Sequence, residues 1–411
     1  MKIALLFGIF PEENNSEIIS NSKGVVQYAA DALQKSLIEG LGSFFSDLEV
    51  INLPYIGSYP KRYARLYSPV GEFKYKTANG NVINGKNVRF CNLAGYKLYS
   101  RYVSASRELK NWYVRNAGEE KILIIYAIHT PFIKACVELK NKCTSDKLRI
   151  ILVVPDLPEY MDSDDQSYVL RKLKAYNKGI LNGLYCDIDA FVLLSKYMVD
   201  MLPVGNKYWT VVEGIFNKEK DAVAVTEKEN NGLKVIFYSG TLAKRYGILN
   251  LVRAFSLLPH GNLRLEICGD GDALDEIKEF SSKDNRIIYL GQRKREEVLM
   301  LQKKATLLVN PRTPEGEFTK YSFPSKTMEY LASGTPTLLY RLPGIPNEYY
   351  KYCFSIEKSG INELSRRIDE ILNMDECELK RIGKEAQKFI YEEKNPYSQA
   401  RKIIELIELI K

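Results

Sequence analysis

Histidine is almost missing from this sequence: 411 residues include two, His129 and His260. Imidazole is the commonest protein ligand for transition metals, so a multi-histidine metal centre is excluded. The seven cysteines, Cys91, Cys136, Cys143, Cys186, Cys268, Cys353 and Cys377, are odd in number, and no two are spaced C-x-x-C. Neither a disulfide framework nor a zinc site follows, and a reduced compartment fits. No apolar run reaches the roughly 18 to 20 residues that cross a bilayer. The run Ile3 to Phe10 is closed by Pro11-Glu12-Glu13 without a cleavage-site pattern, so the expectation is a soluble, cytoplasmic protein. Internal repeats and low-complexity tracts are also absent, and 45% hydrophobic with 27% charged residues is an ordinary globular composition.

Charge is distributed unevenly. Residues 51–115 hold twelve Lys and Arg against Glu72 and Glu108, a net of +10 that exceeds the +8 of the whole chain. Nine of the 28 tyrosines fall there as well. That mixture suits an anionic partner with an apolar or planar part: a membrane surface, a phosphorylated acceptor or nucleic acid. A solvated basic face over packed tyrosines accounts for it equally well.

Short aliphatic runs alternate with helical stretches, which predicts a parallel α/β architecture. The first series is Lys2–Phe7, Leu48–Leu53, Ile122–Ile128, Leu148–Val154, Asp189–Leu194 and Trp209–Val212. A polar stretch at 226–232 intervenes. A second series then runs Lys234–Tyr238, Leu263–Cys268, Arg286–Leu290, Thr306–Val309, Thr337–Tyr340 and Cys353–Ile356. Runs such as Ile150 to Val154 lack polar alternation, as strands covered on both faces do. The fold class is therefore α/β, with two Rossmann-like doubly wound parallel-sheet domains facing a cleft, one substrate on each. Expected boundaries are 1–205, 206–394 and a terminal helix at 395–411 packing back on the first domain. The basic segment interrupts the first series with a hairpin at Asn79-Gly80 and a helix over Tyr99 to Val114.

Three glycine-bearing strand ends follow in the second half: Ser239-Gly240-Thr241-Leu242-Ala243-Lys244-Arg245, Cys268-Gly269-Asp270-Gly271, and Gly291-Gln292-Arg293. A glycine loop between strand and helix, with cations beside it, can hold a phosphate by backbone N–H groups, helix dipole and point charge. A plain βα turn with surface cations is the bland alternative. The G-x-G-x-x-G dinucleotide fingerprint is not met. In Tyr321-Ser322-Phe323-Pro324-Ser325-Lys326-Thr327-Met328-Glu329, Pro324 pre-sets a helix start whose first N–H groups lack intrahelical partners. Glu329, a turn farther on, suits neutral hydroxyls such as those of a ribose; alternatively it is a helix-surface acid.

Taken in order, Tyr238-Ser-Gly-Thr-Leu242, Gly269-Asp-Gly271, Tyr289-Leu-Gly291, Leu308-Val-Asn-Pro311 and Phe323-Pro-Ser-Lys-Thr-Met-Glu329-Tyr-Leu-Ala-Ser-Gly334-Thr-Pro336 resemble the group 1 glycosyltransferases (glycosyltransferase family four). These are retaining enzymes of the GT-B fold that use nucleotide sugars, here similar to those of bacterial surface-polysaccharide assembly. The N-terminal half is similar more loosely, through Gly24, His129 and Ser195. The resemblance implies that Glu329 binds the nucleotide ribose and that Ser322, Phe323, Pro324 and Ser325 hold diphosphate and donor sugar. Lys244, with Arg245 or Lys326, would offset the charge of the leaving diphosphate, while Gln292 and Arg293 would face the base. Gly24, Gly240, Thr241 and Gly269 would line the donor, and His129 would lie near donor sugar and acceptor.

Two positions depart from the family pattern: Tyr321 stands where the first Glu of its E-x7-E motif belongs, and Thr241 where a phosphate-binding Arg does. Asp156, Arg62 and Arg65 are the candidate acceptor residues. Asp187-Ile-Asp189 resembles a metal-binding D-x-D but begins a strand and reads as structural; no metal or cofactor is expected. The implied activity is that of a hexosyltransferase-type retaining glycosyltransferase with a nucleotide-diphosphate sugar, UDP favoured over GDP. Its acceptor would be a glycan or lipid-diphosphate-linked intermediate met at the inner face of the cell membrane, with no nucleic-acid partner. Rival readings are a GT-B sugar-nucleotide epimerase and a non-enzymatic protein that binds anionic surfaces.

Overall fold

The apolar runs without polar alternation become the inner strands of two sheets. The computed structural model describes residues 1–143, 148–157, 168–218, 232–259 and 261–411. They divide into one unit of Met1–Ile215 with Pro396–Lys411 and a second of Phe216–Asn395.

The first unit carries β1 (Lys2–Phe7), β2 (Glu49–Asn52), β3 (Gly71–Lys76), β4 (Val82–Asn87), β5 (Lys121–Tyr126), β6 (Leu148–Val154), β7 (Ala190–Leu193) and β8 (Tyr208–Val211). Their order is β3-β4-β2-β1-β5-β6-β7-β8, parallel except for β3 against β4. All six residues of β5 are buried, since helices cover both faces of the sheet. The β3–β4 hairpin is the one expected at Asn79-Gly80, with Lys76 opposite Val82.

The second unit carries β9 (Lys234–Thr241), β10 (Leu263–Asp270), β11 (Ile287–Gly291), β12 (Leu307–Asn310), β13 (Thr337–Tyr340) and β14 (Phe354–Ile356), in the all-parallel order β11-β10-β9-β12-β13-β14. Among the parallel strands of each sheet the order reverses once, between β1 and β5 and between β9 and β12. The loops after these strands diverge and leave a crevice at the carboxyl ends.

Two differences from the sequence reading have local causes. The division falls at 215/216, not 205/206, because β8 pairs along its whole length with β7 and stays in the first sheet. The polar stretch at 226–232 lies outside the described residues except for Gly232. Pro11-Glu12-Glu13 does more than end an apolar run: it opens a helix, Glu12–Asn21, with two acids in its first turn facing the positive end of the dipole. Gly24 therefore lies between that helix and Tyr28–Gly42.

The terminal helix Pro396–Ile410 belongs to the first unit, where Ile403, Leu406 and Ile407 join the core with Leu37, Ile38 and Leu41. Its entry crosses the helix Tyr28–Gly42 so closely that a Cβ on Gly40 would sit 2.2 Å from the Pro396 carbonyl oxygen. Ile403→Ala should remove a fully buried side chain and lower stability by about 2–5 kcal/mol, read as a lower urea midpoint by far-UV circular dichroism. An unchanged midpoint would mean that the helix adds nothing to that core.

Candidate functional sites

At the β9–β12 reversal, two glycine contacts set the backbone. A Cβ on Gly269 would lie 1.9 Å from the Gly240 carbonyl oxygen, so β9 and β10 end in contact. Gly247, at φ 77°, begins the helix Ile248–Ser256 with its Cα facing the Pro311 carbonyl, where a Cβ would come within 2.2 Å. Thr241 is exposed, and its carbonyl accepts from the Tyr238 hydroxyl at 2.9 Å.

Glu329 lies in the helix Ser325–Ala332, and its side chain is 11% exposed. Oε1 accepts from Gln302 Nε2 at 2.6 Å and Lys326 Nζ at 2.8 Å, and Oε2 lies 3.5 Å from the Arg295 guanidinium. Burial alone would raise its pKa, but Lys326, Gln302 and Arg295 together hold it below the ordinary carboxylate range. Gln302 also donates to Ser239 Oγ at 3.1 Å, while the Tyr330 hydroxyl accepts from the Ser239 amide at 2.8 Å and donates to its carbonyl at 3.1 Å. One buried network thus ties the Glu329 helix to β9. Pro324 precedes the first helical residue as expected, and no side chain caps that end.

Of the expected cations, Lys244 is engaged elsewhere: its ammonium is paired with Glu276, which raises its pKa. Arg245 is exposed and lies over the Tyr246 ring at 5.0 Å. The cation that the sequence reading misses is Arg312, two residues past β12. Its guanidinium donates to Ser322 Oγ at 2.9 Å and packs 4.7 Å from the Phe318 ring and 5.3 Å from that of Tyr246. Nε is buried without a partner, and no carboxylate pairs with Arg312 among the described residues. Burial first, and then Arg245, lowers its pKa. Tyr321 and Phe323 are buried, so no carboxylate occupies position 321. Gln292 donates to Asp270 at 3.1 Å, and Arg293 lies 3.8 Å from Glu297 at the exposed end of β11.

The first unit has its own cavity of about 620 Å³ at the β1–β5 reversal, reached by Phe10, Tyr55, Ala127 and Asp156 from the ends of β1, β2, β5 and β6. Gly24 and Arg62 line it. Arg65 does not line it and pairs with Glu17 at 2.5 Å, because that acid is its nearest partner on the neighbouring helix. Burial pushes Asp156 up to about 6. His129 caps the helix Thr130–Lys142, its ring 4.4 Å from that of Phe132. Burial, then Arg101 and Lys97, drives it well below its ordinary value, so the imidazole is neutral. Asp189 accepts from Lys140 and from the Ile150 amide at 2.7 Å each, a structural pairing.

Residues 219–389 match the family model described as glycosyl transferases group 1. No curated protein matches the chain. Among solved structures, the trehalose-6-phosphate synthase OtsA matches with a TM-score of 0.66 at 13% identity, covering 99% of each chain. Sucrose-phosphate synthase from Thermosynechococcus elongatus matches at 0.63 and 13% over 100% of this chain and 99% of its own. Anabaena HepE in complex with UDP matches at 0.61 and 13% over 100% of each. These likenesses extend the GT-B fold over both units.

The depressed pKa of Glu329 carries a pH signature. A carboxylate more acidic in the folded than in the unfolded state stabilises above the unfolded value, about 4.3, and loses that contribution as pH falls through the lower folded value. Glu329→Gln should therefore melt below wild type near pH 7, with the gap closing below about pH 4. A gap that is constant with pH would place the whole cost in lost hydrogen bonds instead.

Proposed function

We propose, from the match of residues 219–389 to the glycosyl transferases group 1 model and from the GT-B fold, that this protein is a glycosyltransferase that moves a sugar from a nucleoside diphosphate to an acceptor hydroxyl with retention. The observation that carries the reading is the pair Glu329 and Arg312, an ionised carboxylate and an anion-free guanidinium at one strand-order reversal. Glu329, already oriented by Lys326 and Gln302, accepts hydrogen bonds from the ribose hydroxyls. The leaving diphosphate lies between Arg312 and the uncapped N–H groups at Ser325 and Lys326, where charge growing on its oxygens is stabilised by donors fixed beforehand. The bond from sugar C1 to the diphosphate oxygen breaks, and the acceptor oxygen bonds to C1 on the same face. Its proton passes to the departing phosphate oxygen. A UDP-sugar is the favoured donor, supported by the UDP complex of the structurally similar HepE.

The acceptor is a glycan or lipid-diphosphate-linked intermediate of bacterial surface polysaccharide, bound by the first unit, where Asp156 takes the attacking hydroxyl. Membrane docking is supported by an exposed patch on the basic segment. Leu66, Tyr67, Leu93, Tyr96, Leu98 and Tyr99 are 36–59% exposed, and Lys61, Arg65 and Arg89 are exposed along the same stretch. Apolar wedges with cations around them suit the headgroup region of anionic lipid, at about 1 kcal/mol per nearby cation.

Two measurements test this. In a thermal-shift panel of UDP, GDP, ADP, CDP and TDP, one nucleotide at 100 times its Kd should stabilise wild type by about 2.7 kcal/mol, while Glu329→Ala and Arg312→Met lose most of the shift. A panel with no shift defeats the donor assignment. Vesicles rich in phosphatidylglycerol should sediment the protein at low salt and phosphatidylcholine vesicles should not, with a double change Leu98→Ser and Tyr99→Ser abolishing the difference. Equal recovery with both lipids removes the membrane contact.

A further inference from the structure

Among its described lining residues, the cavity at the β1–β5 reversal holds more positive charge than negative. Lys23, Arg62, Lys97 and Arg101 line it, and among the described lining residues the one carboxylate is Asp156. Arg101 is 2% exposed, and its guanidinium donates to the Leu53 carbonyl and, at 3.3 Å, to that of Pro54; it lies 3.4 Å from neutral His129 Nε2. Its Nε is buried with no partner at all. The Lys97 ammonium donates to the Ile56 carbonyl. No ion pair joins either of these cations to a carboxylate among the described residues. Burial, with Arg101 and Arg62 beside it, pulls Lys97 down to about 7.

Buried charges are ordinarily paired, because taking an ion out of water costs several kcal/mol unless a counter-charge is supplied. Here carbonyl dipoles supply part of that for Arg101 and Lys97, and no carboxylate among the described residues completes it. Among the other lining residues, Tyr55, Ile56 and Tyr126 give an apolar face of the kind sugars stack on, and Asp156 can accept hydroxyl hydrogens.

We propose that this cavity binds a phosphate-bearing acceptor, with the phosphate held by Lys97, Arg101 and Arg62 and the sugar directed to Asp156. The inference rests on the reading of the first unit as the acceptor domain. Arginine's fork suits phosphate oxygens bidentately, and three converging cations match a dianion better than a single carboxylate. The phosphate can be that of a soluble sugar phosphate or of a lipid-borne diphosphate, since both present the same oxygens.

The test is isothermal titration of the full chain with glucose, glucose 6-phosphate and farnesyl diphosphate, and of the Lys97→Met and Arg62→Gln variants with the same three. The phosphate-bearing probes should bind wild type at least tenfold more tightly than glucose, and each variant should lose at least tenfold toward them. Arg62 is exposed, so its variant keeps the test usable if Lys97→Met does not fold. The UDP thermal shift serves as the control: it should be unchanged in both variants. If phosphate selectivity holds while no nucleotide binds wild type, the donor assignment fails and the cavity stands. Preference for glucose 6-phosphate identifies a soluble acceptor and preference for farnesyl diphosphate a lipid-borne one. Equal affinity for glucose and its phosphate, no binding of any probe, or Arg62→Gln and Lys97→Met without effect overturns the proposal.

Discussion

Reversal of strand order inside a buried parallel sheet is the constraint from which both sites follow. Strands such as β5 and β6 are apolar on both faces because helices cover them, so polar chemistry has nowhere to go along their length. It collects at the carboxyl ends, and there a crevice opens where successive connections leave in opposite directions. In the first sheet that point lies between β1 and β5, and the chain bends sharply there: Ala127, directly after β5, has φ 68°. A non-glycine residue held in the left-handed region costs of order 1–3 kcal/mol and persists only where its surroundings enforce it. Here the Ala127 amide continues the β5–β6 ladder to the Val153 carbonyl, and the His129 amide closes a turn onto the Ala127 carbonyl. The bend at Ala127 leaves Ala127 and Ile128 in the cavity wall.

The two crevices manage charge in opposite ways. Around Glu329 the protein supplies its own partners, so the carboxylate is ionised, oriented and unavailable to a phosphate. The cost appears one bond away, where Gln302 commits its amide N–H groups to Glu329 and Ser239 and leaves its Oε1 buried without a partner. In the first unit Arg101 is buried and Lys97 half-buried, each donating to backbone carbonyls and, among the described residues, neither pairing with a carboxylate. A carboxylate whose partners the protein supplies keeps its geometry whether or not ligand is present, whereas an under-neutralised cation gains most of its stabilisation from the ligand. The first arrangement suits a neutral ribose, and the second suits an anion.

Much of this is legible in sequence because strand character and turn chemistry are local. The run Ile122 to Ile125, the Asn79-Gly80 hairpin and the apolar pattern of Ile403, Leu406 and Ile407 each carry their own signal. Burial of individual charges is not local, and there the reading fails. Residues 51–115 look like a solvated basic face, yet Arg101 is among the most buried residues of the chain. A signal does exist: in the helix Lys97–Arg115, Arg101 falls on the same stripe as Ala105, Leu109 and Trp112, all buried. A cation on the apolar face of an amphipathic helix is the pattern to look for. Glu12–Asn21 escapes for the converse reason, since its short and polar sequence has little amphipathic periodicity to detect.

Arg312 shows how a site can keep its electrostatics while exchanging its residues. The family resemblance puts an arginine at position 241 and a glutamate at position 321, and this chain has Thr241 and Tyr321, losing one charge of each sign. The resemblance alone would therefore leave the diphosphate short of a cation, and Lys244, the nearest candidate in the loop after β9, is held by Glu276. Arg312 reaches the same region from the loop after β12, on the other side of the strand-order reversal, and its contact with Ser322 Oγ ties it to the segment where the family's acid is missing. A carboxylate at position 321, one residue from Ser322, would compete for that guanidinium and pair it before any ligand arrived. The phenol of Tyr321 leaves the charge of Arg312 uncompensated, so removal of the acid and relocation of the cation are one change in the site's charge balance.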